Sequence, residues 1–222
     1  MTASVSGIGW LTETGYGSVR LGVYHQFAEG EDLRSLAKLG IFSQPFKNFA
    51  RLDAISKMTV SAVALAFKDA GIGYSAAGKQ DTGIIGASRE GSLDSDLLYF
   101  KDFIENGRTL SRANLFIYTL PSSAMGEAAI HFGLTGPLLF AAGADASFTA
   151  FLDMAADMVA AGETVRMLAG MILDKSALYL VVDESDDPLC SIAEASSIME
   201  STDNISDILI KFQVLKVRKG IA

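Results

Sequence analysis

The sequence is poor in the residues that disulfides, metal sites and histidine-based catalytic centres require. Its 222 residues include one cysteine, Cys190, and two histidines, His25 and His131. A single cysteine excludes an intramolecular disulfide and the paired cysteines of a zinc site. Two histidines leave little material for a metal centre or a catalytic pair. We therefore predict neither a metal nor a cofactor, and the lone thiol suits a reducing compartment.

Long hydrophobic runs are also missing, although 50% of the residues are hydrophobic and the mean hydropathy is +0.31. A membrane-spanning helix needs about 20 consecutive apolar residues, and the least polar stretch, 138–144, is far shorter. The first ten residues, MTASVSGIGW, lack the basic and apolar regions of a signal peptide. We expect a cytoplasmic protein that does not span a membrane.

Positive charge is scarce, because 18 Lys and Arg residues oppose 26 Asp and Glu residues and the net charge is −8. A nucleic-acid-binding surface needs clustered Lys and Arg, and the field of an acidic chain repels polyanions. We therefore do not expect nucleic acid as a partner. The basic residues cluster only near the end of the chain, at Lys211, Lys216, Arg218 and Lys219.

What the sequence has instead is an alternation of strand-like and helix-like patterns, which predicts a layered α/β fold with a mixed sheet. Asp53 is a suitable N-cap for a helix that ends at Gly71. A second helix is predicted over about 92–107, and its inward side chains are expected to be Leu93, Leu97, Leu98, Phe100 and Phe103. The other predicted elements are strands at 3–11, 81–88, 138–142, 165–169 and 177–182 and helices at 122–133 and about 146–161.

Near the N-terminus, Gly7 and Gly9 form a Gly-x-Gly pair. We interpret them as turn glycines, since no other part of a nucleotide-binding motif accompanies them. Residues 15–50 are predicted to be a surface excursion with a short helical stretch near 31–39.

The end of the chain changes character. Residues 191–199 are predicted to be a strand. Beyond Thr202 the apolar residues fall at helical spacing, which predicts an amphipathic helix. Lys216, Arg218 and Lys219 place positive charge where it favours the C-terminus of that helix.

One stretch in the middle of the chain resembles a known family. Residues 111–144, SRANLFIYTLPSSAMGEAAIHFGLTGPLLFAAGA, are similar to the P-x-x-x-x-G-x-x-x-x-x-x-G-L-x-G-P stretch of the β-ketoacyl synthases of fatty-acid and polyketide synthesis. Three further segments agree with the family in order, at 51–53, 81–88 and 165–172. The positions that carry the motif here are Pro121, Gly126, Gly133, Leu134, Gly136 and Pro137.

The resemblance covers about residues 3–195 and implies the first half of a thiolase-type enzyme. That half has the element order βαβαβαββ, with a mixed sheet and helices on both faces. We expect this domain over residues 1–199, followed by an amphipathic helical tail over 200–222. The complete enzymes have a second, similar half that carries their catalytic histidines or asparagine, a lysine and a glycine-rich oxyanion loop. We expect this chain to lack that half.

The family places its nucleophilic cysteine about eight residues beyond the Gly-Pro pair, where a strand meets a helix. At that count the sequence reads Ala144, Asp145, Ala146, Ser147 and Phe148, so Asp145 stands in place of the cysteine. A carboxylate is a poor nucleophile toward a thioester, and its acyl product would be a labile anhydride. We expect Asp145 to cap the following helix rather than to carry an acyl group. Ser147 is the weaker hydroxyl candidate, because no histidine base is near it.

The remaining reactive side chains are expected to be structural. His131 is predicted to lie on a helix surface or in packing, and Cys190 is predicted to act as a small apolar residue. We assign no role to His25.

Three functions therefore stay open. The resemblance first implies a non-catalytic partner or scaffold, like the chain-length-factor subunits that pair with an active synthase. The second is an acyltransferase or condensing enzyme of the 3-oxoacyl-carrier-protein synthase type, completed by another chain. The third is a module that binds an acyl chain or an acyl carrier protein.

A homodimer, or a heterodimer with a synthase-like subunit, is expected in the first case. The family dimerises around the strand that follows the Gly-Pro pair, and an uncovered apolar edge strand is an aggregation hazard. Here that strand consists of Leu138, Leu139, Phe140, Ala141 and Ala142.

Overall fold

The computed structural model describes residues 2–75, 77–108, 112–142, 147–173, 175–202 and 204–221. In this part of the chain, eight strands form one mixed sheet. The strands are β1 (Ser4–Leu11), β2 (Gly15–Ser18), β3 (Tyr24–Gln26), β4 (Thr82–Ser88), β5 (Leu138–Ala142), β6 (Arg166–Leu173), β7 (Ser176–Asp183) and β8 (Cys190–Ser191). The helices are α1 (Ala54–Asp69), α2 (Leu93–Glu105), α3 (Ala113–Phe116), α4 (Ser123–Phe132), α5 (Phe148–Ala160), α6 (Ile192–Glu200) and α7 (Ile205–Lys219).

The strand order is β3-β2-β1-β7-β6-β4-β5, with β8 paired to β1. Strands β4, β5 and β6 are parallel, whereas β1, β2, β3 and β7 join by antiparallel pairing. The two ends of this path are β3 and β5. The predicted α/β class and mixed sheet are thereby confirmed.

Helices cover both faces of the sheet. On one face α1 and α4 enclose a core that includes Phe67 and Phe132. On the other face α5, α6 and α7 pack over a second core that includes Leu152 and Phe212. In the part of the chain that the structure describes, no helix combines the length and apolarity needed to cross a bilayer.

Helix α1 is seated unusually close to the sheet. Asp53 accepts the Ser56 N–H at 2.8 Å and begins the helix, as the sequence predicted. A Cβ on Gly9 would stand 2.2 Å from the Ala62 carbonyl oxygen, and Gly7 is similarly close to α1. The interpretation of Gly7 and Gly9 as turn glycines was therefore wrong. Both lie inside β1, where only glycine leaves room for the backbone of α1.

The predicted burial of α2 was also wrong. Of the side chains expected to face inward, Leu93, Leu97, Leu98 and Phe100 are exposed and Phe103 is half-buried. The buried residues of α2 are instead Ser95 and Asp102, two turns apart on one face. Ser95 donates to Asp53 at 2.8 Å, and Asp102 accepts from the Arg112 backbone N–H and Nε. These polar contacts turn the apolar side chains outward.

The C-terminal region contains two helices. The strand predicted over 191–199 is wrong, because Ser191 and Glu194 form a capping box that begins α6 at Ile192. The predicted amphipathic helix is confirmed as α7, which begins after the Asn204 cap and packs on the second core.

Candidate functional site

The parallel strands β4, β5 and β6 have their carboxyl ends side by side at one end of the sheet. Ser88 at the end of β4 is in register with Ala142 at the end of β5 and with Ile172 in β6. Carboxyl ends of neighbouring parallel strands are where α/β proteins place their ligand sites. Strand β5, which precedes the predicted elbow in the sequence, ends here at Ala142.

Ala144, Asp145 and Ala146 lie outside the described residues, so their predicted roles remain predictions. The structure begins again at Ser147, which is the N-cap position of α5. The Ser147 side chain makes no capping bond there, and its Oγ lies 2.7 Å from Thr149 Oγ1. Its hydrogen-bond partner is thus a hydroxyl, which cannot serve as a general base as a histidine does. Phe148 points into the second core.

Beside the carboxyl ends of β4 and β6 lies a cleft of about 520 Å³. Its floor is apolar and includes Phe27, Met58 and Ile172. Five carboxylates and two cations line it, and one of the cations, Lys175, pairs with Glu13 at 2.7 Å. The hydrogen bond that Lys175 donates to the Glu13 carboxylate raises the pKa of Lys175. Among the described residues that line the cleft there is no cysteine and no histidine.

His131 lies away from the cleft, in an aromatic cluster. Its ring stacks on Phe46 with centroids 3.9 Å apart, and it meets the rings of Phe42, Tyr74 and Phe132 edge-on. Burial lowers the pKa of His131 from 6.5 to about 4, so the ring is neutral near pH 7. The packing role predicted for His131 agrees with this geometry.

The other two candidates, His25 and Cys190, also lie outside the described lining of the cleft. His25 lies on β3, where it stacks on Tyr16. Cys190 is fully buried in β8, and burial raises its pKa to about 12. A thiol with so high a pKa is not a nucleophile at neutral pH. Among the described residues, no group of three or more His, Cys, Asp or Glu side chains is placed to hold a metal ion.

The most conspicuous exposed feature is one that the sequence reasoning missed. We call it the apolar surface. Its elements contact one another in series, from α2 through α3 and the 3-10 helix Ile117–Thr119 to α4 and then β5. Phe100 is 61% exposed and Ile130 is 82% exposed. The apolar surface comprises Leu93, Leu97, Leu98, Phe100, Ile104, Phe116, Ile117, Leu120, Ile130, Leu138 and Leu139.

A signal for this surface exists in the sequence. Ser95 and Asp102 are seven residues apart and define one polar stripe of α2, while Leu93, Leu97 and Phe100 lie off that stripe. A helix with polar and apolar stripes can bury either one, and only the partners of Ser95 and Asp102 decide which.

Comparisons with solved structures agree on the fold. The ishigamide ketosynthase/chain length factor has a TM-score of 0.64 at 16% identity, with 84% of this chain and 63% of that chain covered. A β-ketoacyl synthase from Burkholderia phymatum has a TM-score of 0.57 at 16% identity, with 83% and 59% covered. This chain thus spans about three fifths of the length of these two structures.

In a third structure this chain covers a larger share of the matched chain. In the complex of the ketosynthase ApeO with its chain length factor ApeC, from Xenorhabdus doucetiae, the TM-score is 0.54 at 14% identity. There 83% of this chain covers 80% of the matched chain, so the two chains are close in length. A comparison with curated proteins gives no match.

The family model for the β-ketoacyl synthase N-terminal domain matches residues 31–173, which is more than half of the chain. That range includes α1, the parallel strands β4, β5 and β6, and the elbow between β5 and α5. The chain therefore belongs to the β-ketoacyl synthase family through its N-terminal domain, with the mixed-sheet, thiolase-like fold of that family.

Proposed function

We propose that this chain is a non-catalytic, ketosynthase-like subunit that pairs with a ketosynthase through the apolar surface and strand β5. The observation that carries the proposal is the outward orientation of α2, which exposes five large apolar side chains on one helix. Contiguous apolar patches of this kind are rare on monomeric proteins and mark interaction sites.

The exposure of α2 is built into the fold. Ser95 is tied to Asp53, which also caps α1, and Asp102 is tied to Arg112. Rotating α2 to bury its leucines would break these hydrogen bonds and move Ser95 and Asp102 into solvent. The apolar stripe is thus held outward by specific contacts, as expected for a surface that a second protein covers.

Strand β5 extends the same surface at the sheet edge. In the described part of the chain it pairs with β4 alone, so the N–H and C=O groups on its other side have no strand partner there. Leu138 and Leu139 are both exposed beside those groups. An edge strand with apolar side chains is a template for pairing with another chain, and pairing removes the aggregation hazard.

The described part of the site supports a non-catalytic role. Ser147 contacts a hydroxyl instead of a base, Cys190 is buried, and the ring of His131 is enclosed by aromatic side chains. The fold that the chain shares with solved ketosynthase and chain length factor structures is a second support.

The test is assembly with the β-ketoacyl synthase whose gene lies nearest, by co-expression and light scattering after gel filtration. We expect a one-to-one complex. Leu97→Asp should abolish it, because a carboxylate would be placed in a desolvated interface. Ile210→Asp is the matched control, since Ile210 is equally exposed on a helix outside the apolar surface. A stable homodimer that the synthase does not displace would contradict the proposed partner.

A second experiment addresses chemistry directly. The chain is incubated with acyl-carrier thioesters and its intact mass is measured, with an active synthase as the positive control. No acyl adduct is expected. An adduct on Asp145 or Ser147 would overturn the non-catalytic assignment.

A further inference from the structure

A second cavity lies at the edge of the sheet opposite to β5. We call it the α7 groove, since it runs between α7 and the end of the sheet formed by β1 and β3. Its volume is about 730 Å³. The α7 groove shares none of its lining with the apolar surface.

The α7 groove follows one face of helix α7. Its α7 wall extends from Ser206 to Arg218 at spacings of three and four residues, which is one face of the helix. At 1.5 Å per residue, that wall is about 18 Å long. The opposite wall is formed by Trp10, Val23 and Tyr24, and the rings of Trp10 and Tyr24 stack with centroids 5.6 Å apart.

Much of the α7 groove is apolar and open to solvent. Ile210, Val214 and Val217 recur at intervals of four and three along α7, and Val217 is 77% exposed. These side chains lie apart from Ile205, Ile208 and Phe212, which fasten α7 to the second core. Helix α7 thus carries two apolar faces, only one of which packs within the chain.

One end of the α7 groove is positively charged. Arg218 lines it, and the Lys216 ammonium lies 3.4 Å from where a Cβ on Gly22, another lining residue, would stand. Among the described residues, Lys216 and Arg218 have no ion pair, whereas Lys219 nearby is paired with Glu194. Two cations thus lie beside this end of the groove, one from each side of α7, in a chain whose net charge is −8.

We propose that the α7 groove binds a single-chain anionic amphiphile of the long-chain fatty carboxylate class. Its alkyl chain lies along Val217, Val214 and Ile210, and its carboxylate lies between Lys216 and Arg218. The volume of the groove falls within the range of about 300–1,000 Å³ that is typical of small-molecule sites. The charge at one end only matches a ligand with one ionic head.

The chain contains its own reporter for this binding. Trp10 is the sole tryptophan and forms part of the groove wall. We expect dodecanoate, added below its micelle concentration, to change Trp10 fluorescence in a saturable manner. Dodecanol should bind about threefold or more weakly, and dodecyltrimethylammonium more weakly still, because Lys216 and Arg218 attract only the anion. Each methylene added to the carboxylate should tighten binding roughly twofold to fourfold.

Substitutions separate the two parts of the site. Val214→Asp should weaken dodecanoate binding by about tenfold or more, by placing a charge against the alkyl chain. Val217→Asp, at a more exposed position, tests the same point if Val214→Asp proves unstable by circular dichroism. The double variant Lys216→Gln, Arg218→Gln should bind dodecanoate and dodecanol equally. Leu97→Asp, in the apolar surface, should leave dodecanoate binding unchanged.

The outcome is independent of the proposed pairing with a ketosynthase, because Leu97→Asp addresses that pairing and Val214→Asp does not. Absence of a saturable signal would overturn the α7 groove proposal. So would a signal that neither Val214→Asp nor Val217→Asp reduces, or a cationic amphiphile that binds as tightly as dodecanoate.

Discussion

Helices α1 and α2 both hydrogen-bond to one residue, Asp53, yet α1 turns its apolar side chains toward the core and α2 turns them toward solvent. Asp53 caps α1 through the Ser56 N–H and accepts from Ser95 of α2. Helix α1 buries its apolar residues against β1 and α4, and Phe67 is completely buried. Helix α2 buries Ser95 and Asp102 and leaves Leu98 59% exposed.

The difference between the two helices shows that hydrophobicity alone does not set the direction of a helix face. For α1, the glycines of β1 allow contact so close that every apolar side chain from Met58 to Phe67 is buried. For α2, two hydrogen-bonded polar residues take the inward positions. The apolar stripe that remains outside is unsatisfied in the single chain, and covering it is the task that we assign to a partner.

The largest expected effect is the difference in stability between a truncation in α1 and one in α2. Phe67→Ala should lower the free energy of unfolding by about 3–5 kcal/mol, because it leaves a cavity in the first core. Leu98→Ala should change it by about 0.5 kcal/mol or less, since its side chain is mostly in water. Urea denaturation of the isolated chain measures both. Equal losses would mean that α2 is buried in solution and would contradict the comparison.

The close packing of α1 on β1 can be tested directly. Gly9→Ala should cost about 3 kcal/mol, because the added methyl overlaps the backbone of α1 at Ala62. Gly126→Ala is the matched control, as a Cβ there meets nothing within 4 Å and alanine favours a helix interior by about 0.5–1 kcal/mol. If Gly9→Ala were as stable as the wild type, the close contact between β1 and α1 would be incorrect.

The polar anchors of α2 provide an intermediate effect. Asp102→Ala should lower the free energy of unfolding by about 1–2 kcal/mol, because it removes the acceptor for the Arg112 backbone N–H and Nε. It should also weaken binding of the synthase, since α2 is then free to turn. Calorimetric titration of the variant with the synthase measures the second effect. Unchanged affinity would show that these hydrogen bonds do not orient the apolar surface.

The smallest expected effect concerns pH and the core beneath α1. The pKa of His131 is about 4 when folded and 6.5 ordinarily, so the unfolded chain binds a proton more readily. Stability should therefore fall as pH decreases from about 6.5 toward 4 and lose this dependence below 4. His131→Phe should flatten the fall between pH 7 and 5.5 in urea titrations. An identical slope in the variant would mean that the ring is not enclosed by Phe46 and its neighbours.

The sequence allowed much of the fold to be predicted. Asp53, Gly71 and Gly133 mark helix ends by local chemistry that tertiary structure does not alter, and each lies at a helix end as expected. Strand β5 was placed correctly because it is short, apolar and preceded by Gly136-Pro137. The error over 191–199 arose because the Ser191–Glu194 capping box is a stronger local signal than the short apolar pattern that suggested a strand.

The functional surfaces were harder to predict. Both the apolar surface and the α7 groove depend on which side of a helix faces the core. For α2, polar contacts with residues outside the helix determine that side. Ser95 reaches Asp53 across 42 positions. The α7 groove joins Trp10 and Tyr24 to Val217, which no local pattern connects. Asp145 was identified by counting from Gly136-Pro137, and its role as a helix cap stays a prediction.

Hydrogen–deuterium exchange on the chain, free and bound to the neighbouring synthase, tests the central claim most directly. The partner should cover strand β5 and helix α2 and so protect their backbone amides from exchange. Peptides that span 93–105 and 138–142 should exchange markedly more slowly in the complex, while peptides of α7 should be unchanged. A complex that forms without protecting either of the first two segments would contradict the account.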